Sequence, residues 1–180
     1  MENLSIVRVA TTDVLLLQQI GKETFSQTFS AINTEENMTK YLNESFAEIK
    51  LQRELDNPLS RFYFAKANER VIGYMKLNTG DAQKENPNEN ALEIERIYVL
   101  EEFHGKKVSQ LLYHKALEVA KKMSVDHIWL GVWQENFKAI AFYTKNGFVK
   151  FGQHEFVLGN EIQIDFLMKL VLSDKCIART

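Results

Sequence analysis

The 180-residue sequence predicts a single α/β (α+β) domain with about seven strands and about four helices. Segments of strand and helix period follow one another as one strand, two helices, three strands, a helix, a strand, a helix and two strands. Hydrophobic residues make up 45% of the chain, enough for a full core, and no stretch has the length and composition of a flexible linker. Near the middle, Phe103-His104-Gly105-Lys106-Lys107-Val108-Ser109 places a turn containing Gly and Lys between a strand and a helix.

Residues 5–9 read as the first strand, and Thr12 and Asp13 can cap a helix whose apolar positions include Leu16, Leu17, Ile20 and Phe25. Asn33 followed by Glu36 has capping-box spacing and starts a second helix through Met38, Tyr41 and Leu42, with more helix to Leu55 before Asn57-Pro58 stops it. The aromatic and apolar runs 61–67 and 71–77, separated by Asn68-Glu69-Arg70, suggest an antiparallel hairpin. Residues 78–90, polar and holding Pro87, form the one conspicuous loop, which leads to a strand at 92–99. Val108, Leu111, Leu112, Ala116, Val119 and Ala120 then repeat at helical spacing. A strand at 127–133, a helix at 136–145 stopped by Gly147, and two strands around Gly159-Asn160 close the chain.

A formal net charge of −2 argues against a nucleic-acid partner, which needs a basic excess. The lone Cys176 cannot form an internal disulfide, and His104, His114, His127 and His154 lack metal-ligand spacing, so no metal site is expected. The amino end carries Glu2 and only a short apolar run at 14–17, so neither a signal peptide nor a membrane span is expected, and a reducing cytoplasm is the default.

The strand Leu92-Glu93-Ile94-Glu95-Arg96-Ile97-Tyr98-Val99 runs into the Gly/Lys turn and then Leu111-Leu112. With Ala139-Ile140-Ala141-Phe142-Tyr143 and Asn146-Gly147-Phe148, it resembles the acyl-coenzyme A site of the Gcn5-related N-acetyltransferase (GNAT) superfamily. Together with Glu23-Thr24-Phe25 and Ile128-Trp129-Leu130-Gly131-Val132-Trp133, these runs are closer still to the PaiA type of bacterial polyamine N-acetyltransferase. The resemblance implies one GNAT domain over residues 1–172, a mixed and mostly antiparallel sheet, and a tail at 173–180. It further implies acetyl transfer from acetyl-CoA to a primary amine, with spermidine or spermine as acceptor, by a monomer or homodimer. Acetylation of another small amine, peptide or protein, and acyl-CoA sensing without turnover, are the competing readings.

Physical chemistry agrees with a phosphorylated guest. A turn between strand and helix aims backbone N–H groups and the positive end of the helix dipole at one point. The spacing is neither that of a P-loop nor that of a dinucleotide fold, which makes ATP and NAD poor guests and leaves coenzyme A. The turn departs from the family pattern, in which Gln or Arg is followed after two residues by Gly and then, one further on, by Gly or Ala. Here those places hold His104, Lys107 and Ser109. Lys107 lacks glycine's access to positive φ, so either the turn relaxes or it is strained, while Gly105, Lys106 and Lys107 can compensate. Val108, Ser109 and Gln110 complete the expected pyrophosphate cradle, and Asn136, Lys138 and Lys145 are candidate contacts to the cofactor arm.

The resemblance implies that backbone N–H groups near Ile97, Tyr98 and Val99 hold pantetheine and polarise the thioester carbonyl. An alkyl amine with a pKa near ~10.4 is protonated at neutral pH and needs a proton acceptor. Glu93 and Glu95, two apart on a strand, face one side and are the candidates, acting directly or through a water; each could equally form an ordinary ion pair. Tyr143 stands where the family places a tyrosine near the cofactor sulfur, although without the surrounding motif it reads as a core aromatic. Trp129 and Trp133 share a strand face and could line an acceptor tunnel or sit in the core. Glu23, Glu35, Glu36 and Asp81 lie in segments that fold over the acceptor end in this family. Ser109 lacks a nucleophile-elbow context, which favours direct transfer without an acyl-enzyme.

Overall fold

Seven strands form one sheet in the order β1-β2-β3-β4-β5-β7-β6. They are β1 (Leu4–Arg8), β2 (Ser60–Ala67), β3 (Arg70–Asn78), β4 (Ala91–Val99), β5 (His127–Trp133), β6 (Val149–Leu158) and β7 (Glu161–Val171). The computed structural model describes residues 3–85, 89–158 and 161–172. Pro87, the turn at Gly159-Asn160 and the 173–180 tail with Cys176 lie outside the described residues. Every pairing is antiparallel except β4 with β5, which are joined through a helical crossover, as a parallel connection requires.

The helices are α1 (Val14–Phe29), α2 (Glu35–Ser45), α3 (Glu48–Asp56), α4 (Val108–Met123) and α5 (Phe137–Lys145). The second helical segment thus divides in two. Its cap is Thr34, whose hydroxyl accepts the Asn37 N–H at 3.3 Å, and not Asn33, whose amide donates to the Phe29 carbonyl at 3.0 Å. The break at Phe46 and Ala47 carries no glycine or proline and no side-chain cap on α3, so nothing in the local residues announces it. Phe46 is buried there, in ring contact with Phe25 and Tyr41, so packing decides the break.

α1 and α3 pack on β2, β3 and β4 from one side, and α4 packs on the same sheet from the other. Of the helical repeat in α4, Val108, Leu112, Ala116, Val119 and Ala120 are buried, whereas Leu111 is half-buried. α5 joins α4 through Tyr113 and Phe142, whose rings are 6.1 Å apart and nearly perpendicular.

Two irregularities in β4 shape the site. Against β3, Leu77 stands opposite Ile94 and Lys76 opposite Arg96, so Glu95 is an extra residue, a β-bulge. The bulge sets Arg96 on the same face as Glu93 and Glu95, where simple alternation would have turned it away. Against β5, only Ala91, Leu92 and Glu93 find partners, although β4 continues to Val99 and β5 to Trp133. Beyond Glu93 the two strands part, and the β4 edge from Glu95 onward is not paired with β5.

Candidate active site

The parting of β4 and β5 opens two hollows that meet. A cavity of about 320 Å³ lies on the helix α1 side, and a groove of about 660 Å³ runs past the end of β4 towards the turn before α4. Ile97, Tyr98, Trp133, Asn136, Ala139 and Tyr143 line both. Any reaction between a guest in one and a guest in the other occurs among these side chains.

Glu93 and Glu95 both line the cavity, and one amide hydrogen-bonds both: Asn78 Nδ2 donates to Glu93 Oε2 at 2.9 Å and to Glu95 Oε2 at 2.6 Å. Their surroundings otherwise differ sharply. Burial pushes the Glu93 carboxyl up to about 7, with Asn78 and Lys84 opposing and the charge of Glu95 adding to the rise. Burial would raise Glu95 as well, but Arg96, Lys76 and Lys84 together outweigh it and hold this carboxyl well below the usual range. The Lys76 ammonium lies 2.6 Å from Glu95, and Lys76 and Arg96 each reach Glu54 of α3 at 3.0 Å. Glu95 is a fixed anion within a buried charge network, whereas Glu93 can gain or lose a proton near neutrality.

Tyr143, on α5, is buried against Phe142 and Phe148. Burial raises its phenol well above the ordinary value, which keeps the proton on Oη at any physiological pH. Asn136 caps α5 by accepting the Ala139 N–H at 3.1 Å while it also lines both hollows, so its two expected roles coexist.

At the far end of the groove, His104, Gly105 and Ser109 form the wall with Lys138. The turn keeps the positive-φ conformation despite its residues, with Gly105 at φ 77° and Lys107 at φ 66°. For a lysine this costs about 1–2 kcal/mol. The His104 Nε2–H donates to the Val99 carbonyl at 2.9 Å and so ties the turn to the end of β4. Val108, Ser109 and Gln110 open α4, where N–H groups have no partner within the helix.

Several expected cofactor residues do not present side chains to this groove. Val108 is 1% exposed and packs in the core. Lys106 lies over the Phe103 ring at 4.6 Å, and Gln110 donates to Asn146 Oδ1 at 3.1 Å. Lys107 is absent from the groove wall, and Lys145 ends α5, about 10 Å along the helix axis from Lys138. Glu23, Glu35, Glu36 and Asp81 are likewise absent from the cavity lining. Its carboxylates besides Glu93 and Glu95 are Glu85, Glu155 and Asp165. His154 lies between two of these, donating from Nδ1 to Glu85 at 3.0 Å with Nε2 3.7 Å from Asp165. Both tryptophans line the cavity, and Trp129 Nε1–H donates to Gln83 Oε1 at 2.7 Å.

The model of the acetyltransferase (GNAT) family matches residues 23–148, which contain β4, the turn, α4, β5 and α5. The chain belongs to this family. An uncharacterized N-acetyltransferase of Lactobacillus delbrueckii subsp. lactis is 41% identical over 96% of this chain and 99% of its own. The spermidine N(1)-acetyltransferase of Thermoplasma acidophilum is 26% identical over 81% of this chain and 88% of its own. In fold, the chain is similar to the crystal structure of the PaiA N-acetyltransferase of Thermoplasma acidophilum in complex with coenzyme A, with a TM-score of 0.77, 24% identity and coverage of 94% and 99%. This GNAT protein is an acetyl-CoA-dependent N-acetyltransferase, and its groove, αL turn and free α4 N-terminus fit such a co-substrate. Among the described residues, no helix is long and apolar enough to cross a membrane, and no group of side chains could hold a metal ion.

Proposed function

We infer that the acceptor is a cationic primary amine, with a polyamine such as spermidine or spermine preferred. The observation that carries this reading is the cavity itself. It is walled by aromatic side chains, holds five carboxylates against Lys84 and Arg96, and ends at a glutamate that titrates near neutrality. Aromatic walls suit the methylenes of an alkyl chain, and the carboxylates suit its ammonium groups. The spermidine acetyltransferase relative from Thermoplasma acidophilum points the same way.

Acetyl-CoA in the groove supplies the acetyl group as a thioester. Glu93 takes the proton of the incoming ammonium on its carboxylate, directly or through a water, because its pKa of about 7 lets it both accept and release a proton at cellular pH. Glu95 stays ionised beside it and favours the cationic form of the amine on entry. Backbone N–H groups of the parted Ile97 to Val99 edge stabilise negative charge on the carbonyl oxygen. The freed amine nitrogen attacks the carbonyl carbon and the C–S bond breaks; Tyr143 Oη gives its proton to the departing sulfur and regains one shed by the newly acylated nitrogen.

A thiol-release assay with acetyl-CoA and a panel of amines tests the reading. Spermidine and spermine should give the highest kcat/KM. Faster turnover of a neutral or anionic amine, or of a peptide N-terminus, would replace the polyamine as acceptor, and no turnover with any amine would favour acyl-CoA sensing.

A further inference from the structure

We propose that Asn78 is a positioning residue, clamping one oxygen of Glu93 so that the other is presented to the acceptor cavity. The proposal rests on the reading of Glu93 as proton acceptor. Asn78 is the last residue of β3 and is fully buried. Its Oδ1 accepts the Ser60 hydroxyl at 2.9 Å, which fixes the way the amide points and directs Nδ2 at the two glutamates. The Lys84 N–H also donates to Glu93 at 3.2 Å, and both donors fall on Oε2. Among the described residues Oε1 receives no such bond, and Glu93 lines the cavity.

The residue type matters as much as the contact. A neutral amide favours the carboxylate without fixing it as an anion, which is what Lys76 and Arg96 do to Glu95. An apolar residue would leave Glu93 to burial alone, and an aspartate would add a third negative charge. The other charges that act on Glu93 are Glu95, which raises its proton affinity, and Lys84, which lowers it. Arg96, Glu85, Glu155, His154 and Asp165 line the same cavity. Replacing Asn78 also removes its 2.6 Å bond to Glu95, which keeps its Lys76 and Arg96 partners and so stays ionised, and none of the other groups is bonded to Asn78.

The test is the pH profile of Asn78→Ala in the thiol-release assay. It is paired with a ¹³C NMR titration of glutamate-labelled protein in which the Glu93 signal is identified by its loss in Glu93→Gln. Removing a donor to the ionised form raises the proton affinity of Glu93. The acid limb of kcat/KM and the NMR midpoint should therefore both move up by about one pH unit, with rate recovering at high pH. A lower rate at every pH with the limb unmoved would mean that Asn78 only supports the fold, and would overturn the proposal while leaving Glu93 as base. Full turnover by Glu93→Gln would instead remove the base reading, and the proposal with it. If Asn78→Ala does not fold, Ser60→Ala releases the clamp while keeping the amide. A smaller shift in the same direction is then expected, and an unmoved midpoint in folded Ser60→Ala sinks the idea.

Discussion

On one side of Tyr143 the cavity of about 320 Å³ is lined by side chains contributed by α1, α2, α5, β4, β5, β6, β7 and the loop before β4. On the other side, the groove of about 660 Å³ ends at a turn whose Val108, Lys106 and Gln110 side chains point elsewhere, leaving its wall to His104, Gly105 and Ser109 and to the backbone path that carries them. A hollow made of side chains ties its chemistry to residue identity, because each carboxylate or ring does one thing. A surface made of N–H groups depends on backbone path, and residues can change while the path is kept. The turn with His104, Lys107 and Ser109 illustrates the second case, since Lys107 accepts φ 66° to preserve it.

Replacement of Glu93 by Gln should break the cavity side most severely, lowering turnover by roughly 10²–10⁴-fold while calorimetry finds coenzyme A binding unchanged. In the parent protein the rate should climb with pH through about 7, because the base works only when ionised, and this limb should vanish in the variant. A matching loss of coenzyme A affinity would show that the two hollows are not separable.

Tyr143 belongs to both hollows, so Tyr143→Phe should cost roughly 10²-fold in turnover with cofactor affinity nearly unchanged, since only the transition state loses a hydrogen bond. Unaltered turnover, with chemistry shown to be rate-limiting, would remove it from the mechanism.

The groove side predicts a milder response. Lys107→Glu keeps the backbone cost and adds repulsion, so coenzyme A should bind more than about tenfold weaker; Lys107→Gly removes both charge and strain and should stay within about tenfold. Equal binding by Lys107→Glu and the parent would mean that the phosphates lie elsewhere. The smallest effect concerns screening: KM for spermidine should rise a few-fold between low and physiological ionic strength, as attraction to the cavity carboxylates weakens. A KM indifferent to salt, or equal rates for spermidine and a monoamine of similar length, would argue that charge does not select the acceptor.

The fold was legible in the sequence because it rests on local period: the strands at 92–99 and 127–133 and the apolar repeat of α4 need no distant information. What local pattern hid was packing, as at the α2–α3 break, and long-range convergence. Glu85, His154 and Asp165 come together only because β7 pairs with β5 and β6 with β7, whereas Glu23, Glu35, Glu36 and Asp81, expected near the acceptor, lie outside the cavity lining. Lys76 and Asn78 interrupt an otherwise apolar buried strand, and a buried lysine or amide requires partners. Those partners are Glu54, Glu93 and Glu95.

The extra residue in β4 acts as a change of phase. Before it, odd-numbered residues such as Glu93 face the cavity side; after it, even-numbered ones such as Arg96 and Tyr98 do. The strand therefore carries two registers, one that presents Glu93 to the cavity and one for the edge at Ile97, Tyr98 and Val99 that lines the groove. Deleting Glu95 would restore a regular ladder to β3 and still leave Glu93, Arg96 and Tyr98 on one face, opposite Asn78, Lys76 and Tyr74. Such a chain would keep its sheet and its faces while losing the one carboxylate that Lys76 and Asn78 both hold, so the bulge adds a charge to this face without displacing its neighbours.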